Sequence, residues 1–405
     1  MERRYIYVAI IGGGAAGMMC ALRAAVNNPD STVLLLEKAD RVGKKLLVTG
    51  NGRCNLSHRG AAADSYHGEG SEELINILFK KYSSDVVIRY FNEIGLMTRT
   101  DAEGRVYPRS NLASSVLDVL RMRLVDYGVE TVCGADIREI RRVRGKYEIL
   151  GGDVCVTAEK LVIATGGRAD HAGRENSSDI LSPFGLAVTK TTPSLSPVKA
   201  DSVLLRSLKG VRANAEVRLL HDGRIIKTEC GEVQFTDSAL SGICVFNLSR
   251  FANRHAGCEI AVSLLPEMSR DAILGELKQR VRINRQGELA DIFVGMFHKS
   301  IGLALIRTAG LKPATPCKYI SFTELNHLTD ILSDWRFRTV PRQDFKNAQV
   351  TAGGVKLSEI DPRTFESKRH KGLYLIGEAL DVDGDCGGYN LQFAWASGMC
   401  AGDSL

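Results

Sequence analysis

The stretch Ile10-Ile11-Gly12-Gly13-Gly14-Ala15-Ala16-Gly17 decides the fold. An apolar run, Tyr5 to Ile11, enters three glycines and then a small-residue helix, Ala15 to Asn27. A second apolar run, Thr32 to Glu37, follows. The whole spans about 30 residues, the length of a βαβ start of a nucleotide-binding sheet. Continuous apolar strands fit a parallel sheet covered on both faces. Gly12-x-Gly14-x-x-Gly17 provides the tight turn, the close approach to a pyrophosphate and the close helix–strand packing. Phosphates then meet a helix N-terminus, whose free N–H groups and dipole favour negative charge. Glu37, 20 residues after Gly17, ends the second strand. A carboxylate there accepts hydrogen bonds from ribose hydroxyls and disfavours a 2′-phosphate. The competing reading is a tight glycine turn in an ordinary α/β protein.

Three further segments extend this site. Leu373-Tyr374-Leu375-Ile376-Gly377-Glu378 repeats the pattern of apolar strand, Gly and acid, and Cys386-Gly387-Gly388-Tyr389-Asn390-Leu391 leads into a final helix. A ligand that needs both ends of the chain is long, and FAD is that kind of ligand. Leu161 to Ala164 reads as a short buried strand before Thr165-Gly166-Gly167, where the chain would pass the cofactor without side chains. The loop Gly43 to Asn55 holds three Gly, two Asn, one Thr and three basic residues. Such a loop presents N–H groups and amides to a flavin edge and positive charge to phosphates; alternatively it is a basic surface loop. No second Gly-x-Gly-x-x-Gly follows a strand. Any NADH or NADPH would therefore bind transiently over the flavin ring, or in a domain inserted later in the chain, rather than in a nucleotide domain of its own.

The 405 residues carry 44% hydrophobic and 25% charged residues, ordinary values for a soluble chain with a sizeable core. Ten Cys form no Cys-x-x-Cys pair and no zinc spacing, so reduced thiols, no metal site and a cytoplasmic setting are expected. No apolar run approaches the roughly 20 residues that span a bilayer, and the start of the chain reads as a strand rather than a signal peptide. The formal net charge is +6, with five basic residues between Arg138 and Lys146. This cluster reads as a solvated hairpin face, and no nucleic-acid or membrane partner is expected. A small molecule is the expected partner, and the sequence assigns no oligomeric state.

Helices are expected at Ser71 to Tyr82, Ser84 to Ile94 and Ser114 to Tyr127, the last burying Val116, Leu117, Leu120, Leu124 and Val125. Strands are expected at Glu130 to Cys133 and Tyr147 to Ile149. After Pro193 the texture becomes strand and turn, to about Ile260, with hairpin chemistry at His221-Asp222-Gly223. Helices follow at Ser269 to Arg282, Leu289 to Lys299, Ile301 to Gly310 and Thr323 to Trp335. The division read from this is 1–192, first part of an FAD-binding domain; 193–265, an inserted β domain; 266–345, an inserted helical segment; and 346–405, second part of the FAD domain.

Taken together, Gly12 to Gly17, Gly50-Asn51-Gly52-Arg53-Cys54-Asn55, Gly104 to Pro108, Ala164 to Gly167, Thr351 to Val355, Gly377 to Gly384 and Gly387 to Gln392 resemble a family of bacterial flavoproteins. This is the aminoacetone oxidase family of FAD-binding enzymes, NAD(P)/FAD-dependent oxidoreductases that include reductases of bile-acid 3-oxo-Δ4,Δ6 intermediates. The resemblance runs over nearly the whole chain. It implies a Rossmann-like FAD domain interrupted by a β-barrel-like domain and a helical region. One departure is visible. The family's Thr-His-x-Gly-Leu-Ser-Gly-Pro loop reads Thr236-Asp237-Ser238-Ala239-Leu240-Ser241-Gly242-Ile243, which implies a different substrate preference if the loop faces the substrate.

The candidate cofactor-binding set is Gly12, Gly14, Ala15, Ala16, Gly17, Glu37, Lys38, Lys44, Gly50, Asn51, Cys54, Asn55, Ala164, Thr165, Gly166, Gly377, Glu378, Gly388, Asn390 and Leu391. Candidate acid/base groups are Tyr389, Tyr107 and Cys386, for each of which packing is the plainer reading. A lone Cys54 disfavours internal dithiol chemistry, although pairing with Cys386 is conceivable. The leading expectation is an FAD-dependent oxidoreductase exchanging hydride between flavin and a small or steroid-like substrate, with NAD(P)H as reductant. The alternatives are an amine oxidase releasing peroxide, an RNA-modifying or RNA-associated FAD protein, and a redox sensor reporting through Cys54.

Overall fold

A computed structural model describes residues 4–169, 178–201, 203–342 and 345–405. It divides into two compact units, one of residues 1–191 with 350–405 and one of residues 192–349.

In the first unit the strand Arg4–Ile11 lies between Val33–Glu37 and Val154–Ile163, parallel to both, and Glu130–Cys133 adds a parallel edge beyond Val33–Glu37. The strand Val154–Ile163 serves two partners. Its first half pairs antiparallel with Lys146–Gly151, while Leu161 to Ile163 pair parallel with Leu373 to Leu375. It is therefore longer than the apolar run Leu161 to Ala164 suggests, because Val154 to Ala158 alternates as one arm of a hairpin. The helix Ala113–Asp126 buries Val116, Leu117, Leu120 and Leu124, but Val125 is 78% exposed. Nine residues after Val116, at about 100° per residue, it stands on the opposite side of the helix.

The first and last helices, Ala15–Asn27 and Tyr389–Gly402, pack together through small residues. A Cβ on Gly398 would lie 2.5 Å from the Ala16 carbonyl oxygen, and one on Gly402 2.7 Å from that of Cys20. Past the end of the last helix, Asp403 accepts hydrogen bonds from Arg23 Nε (2.7 Å), Asn27 Nδ2 (3.0 Å) and Tyr82 Oη (2.9 Å). Among the described residues, no helix is long and apolar enough to cross a membrane.

The second unit carries a six-stranded antiparallel sheet in the order Val198–Lys199, Ala239–Ser241, Arg224–Phe235, Arg212–His221, Glu259–Ser263, Trp335–Arg338. Its edges meet at an isolated bridge between Ala200 and Thr339. Asp222 and Gly223 both take positive φ (49° and 75°) in the hairpin, as a type I′ turn requires. One apolar cluster joins this sheet to the helices Arg270–Ile283, Lys299–Thr308 and Phe322–Ser333.

Two sequence expectations fail in this unit. Ile243–Ala252, inside the strand-and-turn stretch, is a helix that buries Cys244, Val245, Leu248 and Ala252 at helical spacing. The expected helix Leu289 to Lys299 is only a short 3₁₀ turn, Leu289–Phe293, before Gly295 at φ 78°.

Burial acts to raise the pKa of Asp403, but its bonds to Arg23, Tyr82 and Asn27 outweigh burial and hold it below the usual carboxylate value. A lowered folded-state pKa contributes stability above the unfolded pKa and loses it as pH falls. Asp403→Asn is therefore expected to cost roughly 2–3 kcal/mol at neutral pH. In urea unfolding from pH 7 to 3, the gap to wild type should close below about pH 4. A gap that is constant across that range would contradict this role for Asp403.

Candidate cofactor site

The glycines of the first turn do three different things. Gly12 has φ 109°, and a Cβ there would lie 2.3 Å from the Ala164 carbonyl oxygen, so the first turn touches the end of the third parallel strand. A Cβ on Gly17 would lie 1.9 Å from the Gly12 carbonyl oxygen, which fixes helix against strand. At Gly14 a Cβ would meet nothing within 4 Å, and this residue caps the first helix with no side-chain hydrogen bond. An uncapped helix N-terminus over open space is where a phosphate is held. Glu37 accepts from Gly13 N (2.8 Å) and Ala39 N (2.7 Å), which orients its carboxylate beside that turn with lone pairs to spare.

The C-terminal element meets the first helix directly. A Cβ on Gly377, φ 64°, would lie 2.9 Å from Ala16 Cβ. Glu378 accepts from Thr351 N (2.7 Å) and from Lys45 Nζ (2.8 Å). A Cβ on Gly167 would sit 2.5 Å from Glu378 Oε1 and 2.4 Å from Thr351 Oγ1, so the turn Ala164 to Gly167, with Thr165 and Gly166 at its bend, closes on the same point. Neither Lys45 nor Thr351 belongs to the candidate set read from sequence. Nothing in a pair of adjacent lysines says which one faces the acid. Lys44 instead pairs with Asp40, and Lys38 with Asp136 at 3.2 Å.

The loop Lys44–Gly52 is a kinked 3₁₀ segment in which Gly50 and Asn51 take left-handed φ, as does Cys54 just beyond. It brings Asn55 under the start of the last helix. A Cβ on Gly388, φ 103°, would lie 2.7 Å from Asn55 Oδ1 and 2.5 Å from the Ser57 carbonyl oxygen. That Asn55 oxygen is buried without a hydrogen-bond partner, and Gly388 caps the last helix with no side-chain bond. Asn390 is committed to structure: it accepts from Gly384 N and donates to Gly384 O, both at 2.8 Å. Leu391 is half-buried against the core, and Ala15 and Ala16 form the first helical turn.

The three acid/base candidates stand in different settings. Tyr389 stacks on His58 (centroids 4.6 Å, 23°), and burial raises its hydroxyl pKa against a Ser65 hydrogen bond that lowers it. Tyr107 is buried between the guanidinium groups of Arg53 and Arg99, 5.2 and 5.3 Å from its ring centre. Burial pushes the Cys386 thiol to about 11. His58, missed in the sequence, uses Nδ1 to accept from Gly60 N (3.0 Å), and burial lowers its pKa. Nearby, His67 Nε2 and Asp385 Oδ1 lie 2.8 Å apart across the pairing of Tyr66–His67 with Asp383–Gly384. Cys54 is fully buried, is not joined to Cys386, and has its thiol pushed to about 12 by burial.

Residues 6–404 match the model of the HI0933-like protein Rossmann domain. The chain belongs to the HI0933-like family. It is 33% identical to a 3-dehydro-bile acid delta(4,6)-reductase of Clostridium scindens over 98% of each chain. It is 28% identical to a ribosomal RNA dihydrouridine synthase of Escherichia coli, over 98% of this chain and 97% of that one. Among solved structures it resembles a 3-ketosteroid-delta4-(5alpha)-dehydrogenase of Rhodococcus jostii RHA1 in fold, with TM-score 0.53 and 13% identity, over 100% and 97% of the two chains. The chain is an FAD-dependent oxidoreductase of this family, built on a mixed α/β Rossmann frame.

The residues fit that cofactor. A pyrophosphate needs the open space at Gly14, and an unpartnered buried amide oxygen at Asn55 needs a donor such as a flavin ring N–H. Gly14→Ala places a methyl in the open space without meeting protein. It should weaken FAD binding about tenfold or more, with the Tm of the FAD-free protein nearly unchanged. Gly17→Ala, which collides with backbone, should lose folded protein. FAD titration and thermal melts separate the two, and equal melting losses would contradict the distinction.

Proposed function

We propose that this protein reduces a carbon–carbon double bond conjugated to a carbonyl in a flat ring, with NADH or NADPH as the source of electrons. The observation that carries the reading is the meeting of the uncapped last helix at Gly388 with the unpartnered Asn55 oxygen. An amide acceptor and a helix N-terminus together recognise the polar edge of a flavin and favour negative charge on it. Bound FAD supplies the hydride.

In the net reaction the β carbon gains hydride, the α carbon gains a proton, and one NAD(P)H is oxidised. The Tyr389 hydroxyl, kept protonated by burial, is the proposed donor of the α proton. Lys45 and Glu378 fix the loop beside it, and Glu37 holds the ribose end. The six-stranded sheet with joined edges is the proposed counterpart of the barrel-like insertion. Lys38 and Lys44, tied to their own acids, are the weaker members of the proposed cofactor set.

A steroid-sized enone is the first substrate to test, because the relative at 33% identity is named for reduction of a bile acid. A uracil ring presents the same conjugated group. A basic face of the second unit, at Lys278, Arg282 and Arg285, favours that second reading, as do relatives named for dihydrouridine synthesis.

Anaerobic mixing with NADH or NADPH should bleach the flavin, and a 3-oxo-Δ4 steroid should restore its colour. Tyr389→Phe should slow that re-oxidation about 100-fold or more while leaving bleaching by NAD(P)H intact. Bleaching by an amine alone, with peroxide released in air, would replace the reductase by an oxidase.

A further inference from the structure

The positive charge of this chain is concentrated. Its 53 Lys and Arg exceed its 47 acids by six. The stretch Lys278 to Lys318 alone holds eight Lys and Arg against two acids, the same excess of six. Both acids, Glu288 and Asp291, are engaged in a capping box. The cluster from Arg138 to Lys146, the obvious basic run in the sequence, is instead largely paired: Arg138 with Asp136, Arg141 with Glu139, and Lys146 beside Glu159.

Lys278, Arg282 and Arg285 recur at i, i+4 and i+7, one stripe along the C-terminal half of the helix Arg270–Ile283 and just past it. All three are exposed, as is Lys312, and none of the four has an ion-pair partner among the described residues. Cations near a helix C-terminus are often only complements to its dipole. Here two exposed rings stand beside lysines of the same stretch. Phe322, 63% exposed, lies 4.8 Å from Lys278 Nζ, and Tyr319, 69% exposed, lies 5.0 Å from Lys318 Nζ. Cys317 N donates to Gly287 O (3.0 Å), which sets Lys318 and Tyr319 beside the end of the basic stripe.

We infer that this face of the second unit binds RNA, with the cations along phosphates and Tyr319 and Phe322 stacking on unpaired bases. A membrane surface would need the apolar side of the helix, but Ile273, Leu274 and Leu277 are buried in the core. The inference deepens the reductase reading by naming a substrate class. Binding is measured without turnover, so its failure and the failure of the reductase reading are separate results.

The test uses the FAD-loaded protein and a fluorescein-labelled, uridine-rich single-stranded RNA of about 30 nucleotides, with anisotropy read at roughly 50 to 300 mM KCl. Saturable binding is expected, weakening with salt by about 0.7 log unit per phosphate contact for each log unit of salt. Arg282→Glu with Arg285→Glu and Lys312→Glu should weaken it about 100-fold and flatten the salt slope by about 2, with flavin content unchanged. Tyr319→Ala with Phe322→Ala should weaken it about tenfold and leave the slope unchanged. The inference is overturned by absent binding at the lowest salt, by a triple variant that binds like wild type, or by these residues serving anionic phosphatidylglycerol vesicles and not RNA.

Discussion

The first unit depends on a contact between backbones. At Gly12 and Gly17 the first turn, the first helix and the end of the strand Val154–Ile163 approach so closely that no side chain fits between them. Gly377 comes close to the Ala16 methyl, and Gly398 and Gly402 repeat the backbone approach between the first and last helices. Removal of side chains at these points brings the two ends of the chain to one place. It also exposes helix N-termini, which have unused N–H groups and a favourable dipole for an anion. The fold and the cofactor site are thus consequences of one steric condition.

Polar groups then mark the site by what they leave unused. Glu37, Glu378 and Asn390 are held by backbone or lysine partners. Asn55 keeps a buried oxygen without a partner, and Gly14 keeps an empty space. A buried unsatisfied acceptor costs about 1–3 kcal/mol, so its retention beside Gly388 is best explained by a ligand that satisfies it. The thiols contribute nothing comparable. Burial raises the pKa of both Cys54 and Cys386, so neither is an active thiolate at neutral pH.

Much of the first unit was legible because its signals are local. A strand, a glycine turn and a small-residue helix follow one another in sequence, and Glu37 ends the next strand. The second unit was less legible. The helix Ile243–Ala252 is masked in sequence by the flanking strands, although Cys244, Val245, Leu248 and Ala252 carry its period. Hydrophobicity alone puts Val125 on the buried side of its helix, against its phase relative to Val116.

The sequence by itself determined that two elements of apolar strand and glycine turn lie at opposite ends of the chain, because glycine spacing and strand patterning are properties of neighbours. Tertiary structure decided which polar groups those elements use. Lys45 rather than Lys44 meets Glu378, and His58 rather than solvent lies against Tyr389. It also decided where the net charge is free. The run Arg138 to Lys146 is largely matched by acids close in sequence or across its hairpin, whereas Lys278, Arg282 and Arg285 keep their charge unmatched. Pairing depends on which side chains folding brings within a few ångströms, and composition does not encode that distance.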